Sequence, residues 1–321
     1  ARLAISELNG VQVDLKVYDT AGSAATAATA ATQALEDGAR IILGPVYAEA
    51  ANAVGVTVRN RNVNVLAFSN NPTIAGGNVF ILGPTFVNTA SRLTSFAASR
   101  GKQNMVVVYG NDLSGAAGRD AIQAAAARTG ANVTTAVPYD LSQQAVINSI
   151  PQIRSAVESS NANSVFLTAN SAGALPLLTQ LMPEAGISTE DVQYIGLSRW
   201  DSPEQTLALP GVQGGWFALP DPGKSRQFQA RYQAAYGTSP HPIGGLAYDG
   251  VAAIGALVSS GNDKALTGAA LTQPAGFQGV NGIFRLLPDG TNQRGLAVAT
   301  IQNRQVVVID TAPSSFAGAG L

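Results

Sequence analysis

The sequence predicts an α/β fold in which mostly parallel sheets are covered by helices on both faces. Three observations predict it. Short apolar runs such as Ile41-Ile42-Leu43 and Met105-Val106-Val107-Val108 are continuous rather than alternating, as expected of parallel strands buried on both sides. Several of these runs stop at Gly-Pro pairs, Gly44-Pro45 and Gly83-Pro84. Helical stretches separate them in a regular strand–helix–strand rhythm. At 321 residues the chain is long for one core, so two doubly wound lobes are expected rather than one.

Taken in order, residues 11–18 alternate in polarity and predict a strand near a sheet edge. An Ala/Thr-rich helix is expected over 23–37, closed by Gly38 as a left-handed cap. Residues 41–45 read as a buried strand, 48–61 as a helix, and the run from Val63 to Phe68 as the next strand, which makes a βαβ unit. A short strand follows at 79–82 and a helix at 87–100, ending at Gly101. Residues 104–110 form another buried strand, with its helix over 113–129 and Gly130 as cap. Strand 131–138, helix 146–159, strand 164–168, helix 173–185 and strand 192–197 continue the rhythm. Pro176 suits the first turn of its helix.

At residues 214–223 the rhythm changes, and this Gly/Pro-rich segment reads as a crossing between lobes. Helices are expected over 225–236, where Phe228, Tyr232 and Tyr236 share one face, and over 243–258. The tail turns antiparallel, with strands at 282–286, 296–302 and 305–309 and turns at Asp289-Gly290 and Asn303-Arg304.

Composition narrows the function. Hydrophobic residues are 46% and charged residues only 12%, about half the usual share. The formal net charge is −1 with no basic block, so nothing favours nucleic acid or an anionic membrane. Cysteine is absent, which excludes disulfides, thiolate metal sites and cysteine nucleophiles. No apolar stretch approaches the roughly 20 residues of a membrane span, and the longest candidate, 246–258, is interrupted by Asp249.

The usual catalytic signatures do not occur. The one histidine, His241, sits between two prolines and reads as a loop residue. There is no Gly-x-Ser-x-Gly elbow, no phosphate-binding Gly-x-x-x-x-Gly-Lys loop and no dinucleotide fingerprint. Gly76-Gly77 reads as a turn. Asp112, Asp201, Asp221 and Asp249 read as surface or capping groups, and no spacing pairs two of them for acid–base work. The expectation is therefore no catalytic residue, no metal and no cofactor, with a hydrolase using carboxylates as a distant third class.

Binding chemistry is more evident. Ligands of doubly wound sheets bind outside the carboxyl ends of the strands. The residues expected there are Tyr47, Ala48, Ser69, Asn70 and Asn71 after the first strands, and Ser114, Asn170, Ser171, Arg199, Trp200 and Asp201 after later ones. A helix N-terminus beside a hydroxyl suits a carboxylate. Arg199, Trp200 and Asp201 bring a guanidinium, a flat ring and an anion together. For each residue the alternative is a helix cap or a satisfied loop, and both readings stay open.

The segments Ile42-Leu43-Gly44-Pro45, Val65 to Pro72, Val79 to Pro84 and Val106 to Asp112 follow one another as in type I periplasmic binding proteins of the leucine/isoleucine/valine-binding type, which the chain resembles. Gly211 to Phe217, the helix from Phe228 and Leu246 to Val251 extend the resemblance over nearly the whole chain. Within that superfamily, Tyr194 to Pro203 looks most like the penicillin-binding-protein activator branch, envelope lipoproteins that stimulate peptidoglycan synthases. The resemblance implies two α/β lobes joined by three hinge strands, with an interlobe cleft. It implies lobe 1 over 1–84 and 224–288, lobe 2 over 85–218 and 289–321, and crossings near 83–86, 218–223 and 286–295. It also implies a first apolar strand upstream of Ala1, with residues 1–5 as the end of the helix that follows it.

In the amino-acid binders an acidic residue takes the ligand's ammonium; the resemblance puts Ser198 or Arg199 there, and a cation repels ammonium. The leading expectation is therefore a non-enzymatic protein, free in the periplasm or anchored to the outer membrane on its periplasmic side, acting as an activator through contact with a peptidoglycan synthase. The alternative is the solute-binding protein of an ABC importer, closing over an amino acid or other small carboxylate and docking on an ABC permease.

Overall fold

A computed structural model describes residues 1–261 and 264–317. In chain order the elements are α1 (Arg2–Ser6), α2 (Ala24–Glu36), β1 (Ile41–Leu43), α3 (Ala48–Val58), β2 (Asn64–Ala67), β3 (Val79–Ile81) and α4 (Phe86–Ser99). Next come β4 (Asn104–Gly110), α5 (Leu113–Thr129), β5 (Asn132–Tyr139), α6 (Gln143–Ser160), β6 (Ser164–Leu167), α7 (Leu175–Glu184), β7 (Gln193–Gly196) and β8 (Trp216–Leu219). The chain ends with α8 (Pro222–Tyr236), α9 (Gly244–Val258), α10 (Gly268–Leu271), β9 (Phe277–Gly279), β10 (Gly282–Leu286), β11 (Asn292–Arg294), β12 (Ala297–Gln302) and β13 (Gln305–Asp310). The mixed order is that of an α/β fold.

Two compact units share these elements. Unit 1 takes Ala1–Thr85, Asp221–Gly295 and the segment from Pro313; unit 2 takes Phe86–Pro220 and Leu296–Ala312.

Unit 1 carries a parallel sheet in the order β1-β2-β3 and a small antiparallel sheet in the order β11-β10-β9. Strand alternation sorts the parallel sheet's side chains onto two faces. Val65, Ala67, Val79 and Ile81 pack with α2 and α3, whereas Leu66, Phe80 and Leu82 pack with α9 and the antiparallel sheet. The alanines of α2 are explained by this packing, since Ala27 and Ala31 lie directly under α3. Each fully buried Val, Ile, Leu or Phe of these two layers contributes about 1.5–3 kcal/mol, and a buried alanine methyl less.

Unit 1 extends to Gly295, beyond the expected boundary at 288. The reason is β11, which pairs with β10 and is tied to β3 by Asn292, whose Nδ2 donates to the carbonyls of Ile81 and Gly83 at 2.9 Å each. Residues 11–18, expected as a strand, form none and pair with no strand among the described residues.

Unit 2 holds a seven-stranded sheet in the order β13-β12-β8-β7-β6-β4-β5. The run from β8 to β5 is parallel, and β12 and β13 are antiparallel. Met105 and Val107 face α4 and α5; Val106 and Val108 face α6 and α7. The segment 214–223, expected as a crossing, contributes β8 to this sheet before the chain leaves at Pro220.

Candidate functional site

In unit 1 the carboxyl ends of β1 and β2 are joined by backbone bonds. Gly44 N–H donates to Leu66 O at 2.8 Å and Phe68 N–H to Pro45 O at 2.9 Å. This holds Tyr47 as the N-cap of α3, with extended backbone and no capping side chain. The tyrosine ring is 64% exposed and lies against Gly22, where a Cβ would come within 3.3 Å of it. Ala48 opens the helix, so its first-turn N–H groups end in the positive pole of the α3 dipole.

Ser69 is buried at the end of β2. Its hydroxyl accepts the N–H of Asn71 at 3.1 Å, and its carbonyl accepts the N–H of Gly83 at 3.1 Å. Asn71 turns inward to its own loop: Oδ1 accepts the Thr73 N–H at 3.0 Å and the Thr73 hydroxyl at 2.9 Å. Asn70 is exposed between them. Thus Tyr47, Ala48, Ser69, Asn70 and Asn71 do share one sheet edge. Two of them, Ser69 and Asn71, already use their side chains to shape the loop.

In unit 2 the parallel neighbours β4, β6 and β7 bring three loops to one edge. Ser114 is exposed in the first turn of α5, whose N-cap is Asp112; the Asp112 carboxylate accepts the Gly115 N–H at 2.8 Å. Asn170 is exposed, and its carbonyl accepts the N–H groups of Gly173 and Leu175. Ser171 donates to Ser202 O at 3.0 Å, linking this loop to the one after β7.

The triplet at 199–201 does not form the open constellation that its sequence suggests. Arg199 Nε donates to Asp201 Oδ1 at 2.6 Å and its Nη2 donates to Oδ2, so a two-pronged ion pair closes within the loop. Trp200 is 0% exposed. It fills the space left by Gly196 and Gly215, either of which would clash with the indole if it carried a Cβ, and it stacks on Phe217 with ring centroids 6.5 Å apart. Trp200 is a core residue of unit 2 and offers no ring face to a ligand.

Sequence reasoning passed over Thr168 and Tyr139. Thr168 Oγ1 accepts the Gly110 N–H at 3.3 Å, tying the loop after β4 to the loop after β6. Burial, with the Asp112 charge adding to it, pushes the Tyr139 hydroxyl up to about 12. It is a neutral group at any physiological pH. The only sequence signal was position: both lie at the carboxyl end of a parallel strand. Leu113 (92% exposed) and Leu141 (67%) put apolar surface on the same edge.

The four aspartates have separate structural partners. Asp112 and Asp221 cap helices, Asp201 holds Arg199, and Asp249 is buried against Arg294. His241 Nδ1 accepts the Ile243 N–H in an exposed loop. Among the described residues no cluster of His, Cys, Asp and Glu is arranged to hold a metal ion, and no helix is long and apolar enough to cross a membrane.

The sequence profile of the periplasmic binding protein family matches residues 1–305. No curated protein matches the sequence at a significant level. Solved structures do resemble it. A protein provisionally assigned as a branched-chain amino acid ABC transporter, from Rhodospirillum rubrum, superimposes with a TM-score of 0.81 at 18% identity, over 96% of this chain and 92% of its own. An ABC transporter substrate-binding protein from Desulfitobacterium hafniense in complex with Leu gives 0.67 at 17% identity, over 96% and 93%. A solute-binding protein from R. palustris in complex with benzoate gives 0.61 at 16% identity, over 98% and 90%. At these identities the likeness establishes the type I fold.

Proposed function

This chain belongs to the periplasmic binding protein family, and from that premise we propose that it is a solute-binding protein of an ABC importer. Its ligand would be an amino acid or another small carboxylate, bound in the periplasm and delivered to a permease without chemical change. The observation that carries this reading is the family match over residues 1–305. The named structural neighbours are transporter binding proteins, and none is described as an activator of a synthase. They favour the importer over the activator role.

Two features of this chain support the same reading. The α3 N-terminus presents N–H groups without a capping side chain at the edge where Ser69 and Asn70 lie. A helix N-terminus of this kind favours a carboxylate by about 0.3–1 kcal/mol. The sequence-based objection to an amino-acid ligand was the positive charge of Arg199. Asp201 cancels that charge within the same loop, so the loop does not repel an ammonium group.

The test is a thermal-shift screen against the proteinogenic amino acids and aliphatic and aromatic carboxylates, with calorimetry on any hit. A ligand at a hundredfold excess over its Kd stabilises by about 2.7 kcal/mol. A saturable hit is expected. No shift across the panel, together with capture of a peptidoglycan synthase from envelope extract, would overturn the importer reading in favour of the activator.

A further inference from the structure

The seven-stranded sheet of unit 2 ends in two edges of different character. One edge is β5, which carries Pro138, a residue that has no N–H to offer a further strand. The other is β13, which pairs with β12 and with no other strand among the described residues. Four β-branched apolar residues, Val306, Val307, Val308 and Ile309, follow one another along it, without Lys or Pro. Val307 and Val308 point to opposite faces of the sheet, yet both stay open to solvent, 37% and 38% exposed. An edge of this kind is a template for another strand. The one feature that blunts it, a register shift against Val298 and Ala299, lies at its far end.

The turn fixes which backbone groups of β13 are free. Asn303 and Arg304 have φ of +53° and +61°, the conformation of a two-residue hairpin turn, so Gln302 and Gln305 close it as a hydrogen-bonded pair. Bonded and non-bonded pairs then alternate: Thr300–Val307 is bonded, whereas Ile301–Val306 and Ala299–Val308 are not. Val306 and Val308 therefore direct their N–H and C=O groups away from β12. Those two residues match each other across a two-fold axis. With Val307 opposite its own copy, Val306 of each chain faces Val308 of the other, and each such pair exchanges two hydrogen bonds. The same register brings Arg304, exposed at one end of the edge, beside Asp310 at the other end of its copy. Asp310 is 44% exposed, and its Oδ2 accepts from Arg92 Nη2 at 2.7 Å.

We propose that β13 is an interface with a second copy of this chain, the two strands pairing antiparallel about a two-fold axis through Val307. Charge selects this occupant. Each β13 has Arg304 at its turn and Asp310 at its far end, so an antiparallel copy sets opposite charges together at both ends. The formal net charge of −1 adds no long-range repulsion between copies. The two-fold axis also closes the assembly at two chains, because each copy spends the open edge it offers. A strand pair of about five residues a side buries less than the roughly 1,200 Å² of a standard interface, so the dimer is weak, with a Kd on the order of 100 µM.

Sedimentation velocity from about 5 µM to about 1 mM, with amide exchange measured at both ends of that range, tests the pairing. The dimer fraction should rise across the range. The Val306 and Val308 amides should exchange about three- to fivefold more slowly at the high concentration, whereas the Val307 amide, bonded to β12 in either state, should not change. Val307→Lys puts two cations on the axis, and Arg304→Glu sets an acid beside Asp310. Each should weaken the dimer about tenfold or more, and the melting midpoint of the dilute protein should hold because both side chains are exposed. Arg304 lies in the turn, so its variant keeps the test open should Val307→Lys fail to fold. A chain that stays monomeric to about 1 mM, with free exchange at Val306 and Val308, would overturn the proposal. So would a dimer that neither substitution weakens, which would place the interface elsewhere. Slow exchange at both amides in a monomer would also overturn it, and would mean that the chain covers its own edge.

Discussion

Asp249 and Arg294 meet in the interior of unit 1, with Oδ2 3.5 Å from Nη1 and side chains 0% and 6% exposed. The carboxylate also accepts the Val280 N–H at 2.7 Å, and Arg294 donates to Leu82 O. The pair thus links α9, the antiparallel sheet and the end of β3. Removing one partner leaves a buried charge without its counterion, which costs about 3–5 kcal/mol. Asp249→Ala and Arg294→Met should each lower stability by that order in chemical denaturation, and the double variant should cost less than the sum of the two. An additive double variant would show that the pair is not coupled. Gly279 belongs to the same arrangement, because a Cβ there would lie 2.7 Å from both carboxylate oxygens.

The same aspartate predicts a pH dependence. Burial raises its carboxyl to about 6, with Arg294 pulling the other way. In the unfolded chain it titrates near 3.9. Between those values the folded protein keeps a proton that the unfolded chain has released, so rising pH favours unfolding. The stability of wild type relative to Asp249→Asn should therefore fall from about pH 4 to pH 6 and level off above pH 7. Urea melts of both proteins at pH 4.5, 5.5 and 7.5 measure this. A difference that rises with pH would mean that attraction to Arg294, not burial, governs the group.

Trp200 tests the distinction between core and site. Truncation to Ala opens a large cavity beside Gly196 and Gly215 and should cost about 3–5 kcal/mol. Trp200→Phe keeps most of the packing. It also removes an indole N–H that has no acceptor among the described residues, so its cost should stay below about 1.5 kcal/mol. Neither change should alter the affinity of the folded protein for a ligand, read by calorimetry at a temperature where both variants are folded. A tenfold loss of affinity in Trp200→Phe would restore the ring to the binding site.

Much of the architecture is legible in the sequence because it rests on local rules. Met105 to Val108 can hardly be anything but a strand covered on both faces, and Gly130 and Gly237 end their helices with φ of +74° and +72°, where other residues are strained. The short strands β9 and β11 are not legible: Phe277-Gln278-Gly279 and Asn292-Gln293-Arg294 have no apolar pattern, and long-range pairing with β10 makes them strands. Residues 11–18 show the converse, a correct strand period without a paired edge. In the candidate site the loops are legible from their position after apolar runs. The roles of side chains within them are not, because Arg199 reaches back to Asp201 and Trp200 turns into a space made by glycines 4 and 15 residues away in sequence.

Asp112 carries a prediction of ordinary size. Its carboxylate caps α5 through the Gly115 N–H. Asp112→Ala should cost about 1 kcal/mol and Asp112→Asn clearly less, since Asn caps nearly as well. Paired thermal melts decide it. Equal losses in the two variants would indicate that the charge rather than the cap is what matters.

The Arg199–Asp201 pair joins stability to the proposed binding. Arg199 is 46% exposed and Asp201 13%, so the pair itself contributes less than about 1 kcal/mol to folding. Its effect on a ligand is larger, because Asp201 neutralises the only cation in the loop following β7. Asp201→Asn keeps the shape of the side chain and releases the guanidinium's charge. If a small carboxylate binds at this edge, the variant should hold a simple anion such as benzoate several-fold more tightly and a zwitterionic amino acid less tightly. The opposite substitution, Arg199→Gln, leaves Asp201 unpaired and should reverse both changes. Calorimetry with one ligand of each charge type distinguishes the outcomes. Affinities unchanged in both variants would remove this loop from the binding site and leave the uncapped N-terminus of α3, with Ser69 and Asn70, as the residues to vary next.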